Sequence, residues 1–352
     1  PGLYSGPYLI TETARGSHVT LNRNPYWTGP VPIFNSITVR AIERTTTLEA
    51  NLLSGSIDMI AGDLGMNTDQ ALAFRQRHGE DFQVIFKPGL LYEHIDVRLD
   101  NPILADLRVR QALMHGMDRE QLVARLFDGE LPVAHSNIHP LDAVWSPDVP
   151  EYQHDVAKAE ELLESAGWMP GPEGIRHNAA GEPLQIEILS TAGDKTRELV
   201  EQVLQSQWRE VGIDLRIRNE APRIFFGETT RKRKFSGLAM YAWASWPEPT
   251  PRTVLHSTQI PTEENGYSGQ NYTGFVDPEV DDLIKSIEEN LDADARLPLW
   301  ARLQRIYAEK LPVLPLYFRT NVDILPTWLH NVRQTGHLMS TSQWVEEWTV
   351  AE

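Results

Sequence analysis

One segment near the middle of the chain constrains the fold more than any other. The stretch LQIEILS places Leu184, Ile186 and Ile188 in alternation with polar residues, as in a half-buried strand. A helical pattern follows from Asp194 to Gly212, and residues 213–217 alternate again. The apolar stripe of this helix consists of Leu199, Val200, Val203, Leu204, Trp208 and Val211. Two strands joined by a helix of this length pair in parallel with a right-handed crossover, so the segment predicts a βαβ unit and an α/β fold.

The first ninety residues predict short strands and one helix. HVTLNR (residues 18–23) and SITVRAI (residues 36–42) alternate as strands, and the later IDMI (residues 57–60) is an apolar strand candidate. Thr45–Thr47 are candidate caps for a helix that Gly55 ends. The downstream pattern predicts one more buried strand and two helices, at Gly237–Trp243, Pro278–Asn290 and Leu297–Lys310.

A further helix is expected after Asp106, continuing to about Phe127. Three arginines, Arg108, Arg110 and Arg119, surround its apolar stripe. We interpret them as packing and salt-bridging groups rather than ligand contacts, since long arginine stems cover apolar surface while their charged heads stay in water.

Composition excludes several classes of function. The formal net charge of −17 opposes nucleic-acid binding, and we interpret the one dense basic run, Arg231–Lys234, as a solvated loop. The absence of cysteine excludes disulfides, thiolate metal sites and a cysteine nucleophile. No run of about 18 apolar residues occurs, as a membrane-spanning helix would need.

The sequence does not argue for catalysis. It lacks the glycine-rich nucleotide loops, the G-x-S-x-G elbow and the H-E-x-x-H motif. His135 and His139 have a spacing that suits a metal on a helix, but Pro140 indicates a loop. His94 and Asp96 share one face of a strand, where structural hydrogen bonding is expected. We therefore predict no enzyme, no metal site and no cofactor.

Several segments, in order along the chain, resemble one family: the extracytoplasmic solute-binding proteins, family 5, of ATP-binding-cassette importers. SGPYLITETARGSHVTLNRNPYW is similar to the family's G-P-Y segment and its R-N-P-x-Y-W. LADLRVRQALMHGMDREQLV resembles the D-x-R-V-R-Q-A-L-x-x-A-I-D-R motif, and DVAKAEELLESAGW the K-A-x-x-L-L-x-E-A-G-W motif. GFVDPEVDDLI and RLQRIYAEKLPVLPLYF resemble the N-P-E-V-D segment and the last helix with its P-x-x-P-L-Y strand.

The resemblance implies the two-lobed periplasmic-binding-protein fold, type II and cluster C-like, in which two α/β lobes close on a ligand. Residues 1–90 and 322–352 would form the remainder of lobe I, and residues 91–321 a complete lobe II, with hinges near 90 and 321. Family members carry further residues before the G-P-Y segment, so lobe I would be incomplete here. The implied location is periplasmic, or extracytoplasmic with membrane association through a lost N-terminal segment.

The implied function is the capture of a small solute or oligopeptide for delivery to the permease subunits of an importer, without a nucleic-acid partner. Three candidate ligand-binding residues, Trp243, Trp246 and Glu248, come from the stretch YAWASWPEP, which follows a predicted buried strand. Asn271 and Tyr272 come from NGYSGQNYTGF, which resembles the family's glycine-rich loop before the N-P-E-V-D helix, and Tyr92 is a further candidate. The alternatives are a hydrolase acting on a peptide or glycan in the same cleft, and a non-transport receptor or chaperone of the same fold.

One departure from the family affects the expected ligand. Peptide-binding members place an aspartate in the loop after this strand, where it pairs with the α-ammonium of the ligand. Here Glu248 is the carboxylate in that loop. Either its longer arm replaces the aspartate, or the ligand has no free amino terminus.

Overall fold

The computed structural model describes residues 4–61, 65–244, 251–334 and 341–351. The chain divides into two compact units, Pro1–Gly89 with Thr320–Glu352 and Leu90–Arg319. The strands are β1 (Tyr8–Ala14), β2 (His18–Arg23), β3 (Ser36–Arg40), β4 (Phe82–Val97), β5 (Met169–Pro170), β6 (Arg176–His177), β7 (Gln185–Leu189), β8 (Asp214–Ile217), β9 (Leu238–Ala244), β10 (Val313–Pro326), β11 (Leu329–His330) and β12 (Thr349–Val350).

The helices account for most of the remaining regular structure. They are α1 (Thr45–Leu53), α2 (Thr68–His78), α3 (Leu107–His115), α4 (Arg119–Phe127), α5 (Val156–Ser165), α6 (Lys195–Glu210), α7 (Pro222–Ile224), α8 (Arg252–Leu255), α9 (Pro278–Glu289) and α10 (Ala293–Lys310). A π-helical turn at Phe225–Thr230 follows α7 directly. Within the ranges given above, none of these helices is both long and apolar enough to cross a membrane.

The first unit contains a three-stranded antiparallel sheet in the order β1-β2-β3. Helices α1 and α2 pack on the parts of β4 and β10 that belong to this unit, around a buried cluster that includes Leu52, Phe74 and Ile324. A second cluster joins Tyr8 to Trp348 near the pair β11-β12. Residues from both ends of the chain therefore share the same apolar cores.

The second unit is an α/β structure built on a five-stranded sheet in the order β10-β4-β9-β7-β8. Strand β7 pairs in parallel with both β8 and β9, and α6 connects β7 to β8, which confirms the predicted βαβ unit. Asp194 caps α6 as expected, because its side chain accepts a hydrogen bond from the backbone N–H of Arg197. The predicted stripe is too wide by one residue, since Leu199 is 48% exposed while Leu204 and Trp208 are fully buried.

Helices cover both faces of this sheet. The main core joins α3, α4, α5 and α6 to one face, to which Ile95 of β4 belongs. On the other face, Tyr92 contacts Tyr307 of α10 through their hydroxyl groups. Helices α9 and α10 share a core of their own, which includes Trp300.

The helix predicted after Asp106 is in fact two helices. Asp106 caps α3, but Gly116 ends it and Asp118 caps α4 through the N–H of Gln121. Two further predictions fail in the first unit. Residues 57–60 form only an isolated bridge between Ile60 and Ile324, and α1 starts after Arg44 without a side-chain cap.

Only Arg108 has the solvated, salt-bridging role expected of all three arginines, whereas Arg110 and Arg119 bury their guanidinium groups against backbone carbonyls. Arg108 forms a surface ion pair with Asp106 at 2.6 Å. Arg110 is buried and donates to the carbonyl of Lys310, at the end of α10, from both Nε and Nη2. Arg119 is also buried and donates to backbone carbonyls, including that of Tyr152 at 3.0 Å. Burial lowers the pKa of Arg110 and of Arg119 to about 10, so both remain charged at neutral pH.

Candidate functional site

The carboxyl ends of β7, β8 and β9 meet at one edge of the second unit's sheet, because these three strands are parallel. Open α/β sheets bind ligands in the crevice outside the carboxyl ends of their strands. Strand β9 ends at Ala244, directly after Trp243. Trp246 and Glu248, two of the predicted site residues, follow β9 in the sequence and lie outside the described residues.

Trp243 is the central aromatic residue near this edge. It is half-buried, and its cross-strand partner on β4 is Tyr92. Two other rings back it: Tyr241 lies edge-on with ring centroids 5.6 Å apart, and Tyr272 lies near-parallel at 6.3 Å. The sheet register and one loop thus bring together Trp243, Tyr92 and Tyr272, three of the predicted residues.

Tyr92 is more deeply buried than Trp243. It is 4% exposed, its hydroxyl lies 3.1 Å from that of Tyr307, and its ring stacks on His94 at 5.0 Å. Burial raises the pKa of Tyr92, so the phenol stays neutral. The expected contact between His94 and Asp96 is present, with Nε2 and Oδ1 3.4 Å apart, and Tyr241 donates to the same carboxylate at 2.5 Å.

Asn271 is fully buried, and its amide is engaged on both sides. Its Nδ2 donates to the carbonyls of Leu255, His256 and Phe275. Its Oδ1 accepts from the hydroxyl of Thr273 and from two backbone N–H groups, those of Gly274 and Phe275. The side chain therefore fixes the loop that carries Tyr272, which is itself 9% exposed.

Sequence reasoning missed Phe226, which lies on the π-helical turn and is 44% exposed. Its ring meets Tyr241 edge-on at 5.9 Å, so it extends the aromatic group around Trp243. π-Helical turns inside proteins are frequently found at functional sites. The sequence shows two adjacent phenylalanines, Phe225 and Phe226, but not that only Phe225 is buried.

Sequence reasoning also missed a buried ionic cluster on the opposite face of β4. Glu93 is fully buried and accepts from Arg197 Nε at 2.6 Å and from Arg319 Nε at 2.8 Å. Arg197 also donates to the hydroxyl of Thr191 at 2.9 Å. Burial alone would raise the pKa of Glu93, but the charges of Arg319 and Arg197 outweigh it and lower that pKa. The cluster joins β4, β10 and the start of α6 at the end of the second unit, where Arg319 is its last residue.

A second buried carboxylate lies near the carboxyl ends of β7 and β8. Glu201 of α6 is fully buried, and its Oε2 accepts from the amide of Asn219 at 2.7 Å. The Oδ1 of Asn219 in turn accepts from the backbone N–H of Ser190. Burial raises the pKa of Glu201 to about 7. This chain of contacts connects the segments that follow the two strands.

The two histidines considered for a metal lie in a loop, as predicted. His139 is buried, and its Nδ1 accepts from the backbone N–H of Leu141 at 2.9 Å. Burial lowers the pKa of both His135 and His139, so both are neutral. In the part of the chain that the structure describes, no three His, Asp or Glu side chains are grouped so as to hold a metal ion.

One group has the composition of a catalytic triad without its geometry. Ser257 donates its hydroxyl to Asp281, and His256 Nδ1 lies 3.5 Å from the same carboxylate. In a nucleophilic triad the imidazole lies between the hydroxyl and the carboxylate, where it accepts the proton. Here the carboxylate lies between the other two groups, so the histidine does not activate Ser257.

Comparison with known proteins identifies the family. The family model described as bacterial extracellular solute-binding proteins, family 5 Middle, matches residues 2–263. The chain is 25% identical to the oligopeptide-binding protein AppA of Bacillus subtilis, over 99% of this chain and 62% of that protein. It is 24% identical to the nickel-binding periplasmic protein of Escherichia coli, over 81% of this chain and 54% of that protein.

Solved structures agree with these relatives. The oligopeptide-binding protein of Thermus thermophilus, complexed with a pentapeptide, is 31% identical with a TM-score of 0.75, over 99% of this chain and 62% of that one. NikA of Brucella suis, in complex with Fe(III)-EDTA, has a TM-score of 0.83 at 24% identity, over 98% of this chain and 68% of that one. The chain thus spans 62% of the length of AppA and of the Thermus protein. These matches confirm the predicted solute-binding fold, and the chain belongs to the bacterial extracellular solute-binding proteins, family 5.

Proposed function

We propose that this chain serves as the substrate-binding component of an ATP-binding-cassette importer, with peptides or related small solutes as its ligands. The observation that carries the proposal is the half-buried Trp243 at the carboxyl edge of parallel strands, backed by Tyr241 and Tyr272. An indole presents a flat apolar surface that loses little conformational entropy on binding. Membership of a solute-binding family supports a role in binding rather than in catalysis.

Residues 1–90 with 322–352, and residues 91–321, are the proposed lobes, with hinges near 90 and 321. The two compact units support this division, since their boundaries fall at Gly89–Leu90 and Arg319–Thr320, inside β4 and β10. The ligand stabilises the closed state because both lobes contact it only there.

The proposed ligand-binding residues fall into two groups. Trp243, Trp246 and Glu248 contact the ligand directly. Tyr92, Tyr272 and Asn271 form the layer behind them, a role supported by their burial and by the fully engaged amide of Asn271. Phe226 joins the direct contacts because of its exposure.

Peptides are the preferred ligand class, since both AppA and the Thermus protein are described as oligopeptide-binding proteins. In this assignment Glu248 accepts the α-ammonium group of the peptide in a charge-assisted hydrogen bond. The chain would act in the periplasm, or outside the cytoplasm in association with the membrane, and would deliver its ligand to the permease subunits of the importer.

The test is a binding assay on the chain with a library of di- to hexapeptides, followed by tryptophan fluorescence and by mass spectrometry of the mixture. We expect one peptide class to bind and Trp243→Ala to weaken it at least about tenfold. Trp145→Ala is the matched control, because Trp145 lies in the same unit and is 39% exposed. Cleavage of a library peptide would instead establish a hydrolase.

A second comparison tests the role of Glu248. Glu248→Gln should weaken the binding of a peptide with a free amino terminus by about tenfold, because one charged hydrogen-bond acceptor is lost. The same variant should bind the N-acetylated peptide as tightly as the unmodified chain does. Equal binding of both forms by the unmodified chain would contradict an ammonium contact at Glu248. Binding of a nickel chelate and of no peptide would contradict the peptide assignment itself.

A further inference from the structure

The basic run Arg231–Lys234 is not a uniform solvated loop. Lys232 and Lys234 pair with the same carboxylate, that of Glu228, at 2.7 and 3.4 Å, and the side chain of Lys234 is 58% exposed. The side chain of Arg233 is only 12% exposed. One residue of the run is therefore turned into the protein while its neighbours face solvent.

The guanidinium of Arg233 connects two loops. Its Nε donates to the carbonyl of Tyr272 at 2.9 Å, and its Nη2 donates to Asp100 at 2.8 Å. Asp100 is also 2.9 Å from Arg98 Nη2, and Arg98 donates to the backbone carbonyl of Arg233 itself. A planar guanidinium can hold a carbonyl and a carboxylate at fixed angles, which a single ammonium group cannot do.

The backbone adopts costly conformations to make these contacts. Arg233 has a φ of +51°, in the left-handed region that non-glycine residues rarely occupy. Gly274 has a φ of +77°, and a Cβ at that position would clash with Nη2 of Arg233. Such strain persists where surrounding contacts fix it, and it is frequent at functional sites.

These contacts act on the aromatic group through Tyr272. The carbonyl of Tyr272 is held by Arg233, and the neighbouring Asn271 fixes the same loop with its amide. The ring of Tyr272 then lies near-parallel to Trp243, at an interplanar angle of 27°. Movement of the Tyr272 backbone would remove the support behind Trp243.

We infer that Arg233 is a positioning residue for the ligand-binding aromatic group, fixing Tyr272 behind Trp243 through its paired contacts with the Tyr272 carbonyl and with Asp100. This inference rests on the proposed function only for its effect on affinity. Its effect on the indole of Trp243 can be measured without any ligand.

The experiment is ¹⁹F NMR of the chain labelled with 5-fluorotryptophan, with Trp243→Phe identifying the Trp243 resonance among those of the 10 tryptophans. We expect Arg233→Lys to shift or broaden that resonance. Asp100→Asn, at a partly exposed position, should do the same to a smaller extent. Lys234→Met is the matched control from the same run and should leave the resonance unchanged.

Peptide affinity is the second readout. Arg233→Lys should weaken binding by about tenfold, the effect expected when a charged hydrogen bond is lost. Variants that leave the Trp243 resonance unchanged would overturn the inference. A displaced resonance with no peptide binding by any form of the chain would instead support the positioning role and contradict the proposed function.

Discussion

Glu93 and Arg197 form a buried ion pair, with 2.6 Å between Oε1 and Nε, that fastens helix α6 to the long strand β4. Arg319 approaches the same carboxylate from β10. The pair thus lies where β4 and β10 leave the second unit, near the proposed hinges.

Removal of one partner from this cluster should be severely destabilising. Glu93→Ala leaves two guanidinium groups close together and partly buried, so we expect the free energy of unfolding to fall by about 3–5 kcal/mol. Urea denaturation followed by circular dichroism measures the loss. Arg218→Ala, which breaks a more exposed pair with Glu187, is the control and should cost less than about 1 kcal/mol. Equal losses would mean that the burial of Glu93 does not matter.

Glu201 should make the stability depend on pH. Its pKa of about 7 in the folded state exceeds the value of 4.5 expected when unfolded, so the folded state binds more protons between these values. Stability therefore falls as pH rises from about 4.5 to 7, by about 3 kcal/mol, and then levels off. Arg197, Glu198 and Asp194 are the charged groups that act on it, and of these only Arg197 lowers the pKa.

The difference in stability between the unmodified chain and Glu201→Gln isolates this effect. We expect the difference to change across pH 4.5–7 and to be constant above that range. Glu210→Gln, at an exposed position on the same helix, is the control and should show no such change. A constant difference for Glu201→Gln would show that folding does not raise the pKa of Glu201.

The isosteric change Asn271→Asp should disrupt the loop that carries Tyr272. A carboxylate oxygen would replace the amide nitrogen that donates to three carbonyls. We therefore expect the free energy of unfolding to fall by about 3 kcal/mol or more. Differential scanning calorimetry measures the shift in Tm. Asn265→Asp is the matched control, because its exposed amide donates to one carbonyl, that of Ile260. Similar shifts for both variants would argue against a structural role specific to Asn271.

The hydroxyl groups of Tyr92 and Tyr307 should contribute to stability as a pair. Tyr92→Phe and Tyr307→Phe should each lower the free energy of unfolding by about 1 kcal/mol. The double variant should lower it by less than the sum of the two single effects. Chemical denaturation of all four forms provides the cycle. Because the Tyr92 hydroxyl is already engaged, Tyr92→Phe should also leave peptide affinity within about twofold. An additive double variant would show that the two hydroxyls do not interact.

The sequence predicts the second unit well because its periodic patterns are long. Alternation and the capping Asp194 locate β7, α6 and β8 within one or two residues of their observed bounds. Shorter patterns mislead for physical reasons. IDMI is apolar enough for a strand, but its pairing is limited to one bridge between Ile60 and Ile324, which lies far away in the sequence.

The site could be predicted only in part. Trp243 was identified near a predicted strand end and Tyr272 in a glycine-rich loop, while the sheet register that pairs Tyr92 with Trp243 was not predicted. Arg233 could not be separated from its basic neighbours, because its burial depends on Asp100 and on the Tyr272 carbonyl, both remote in sequence. Glu93 was missed for the same reason, since its partners lie 104 and 226 residues away.

The contact between Arg110 and Lys310 has a consequence for biosynthesis. The two residues are separated by 200 positions, so a ribosome adds most of the second unit before the carbonyl that receives this guanidinium exists. Until then α3 carries a charge with few partners, and its packing is incomplete. The apolar cores of the first unit form later still, because they include residues such as Ile324 and Trp348. Contacts between residues this far apart in the sequence form slowly, so we expect the pairing of distant segments to limit the rate at which both units fold.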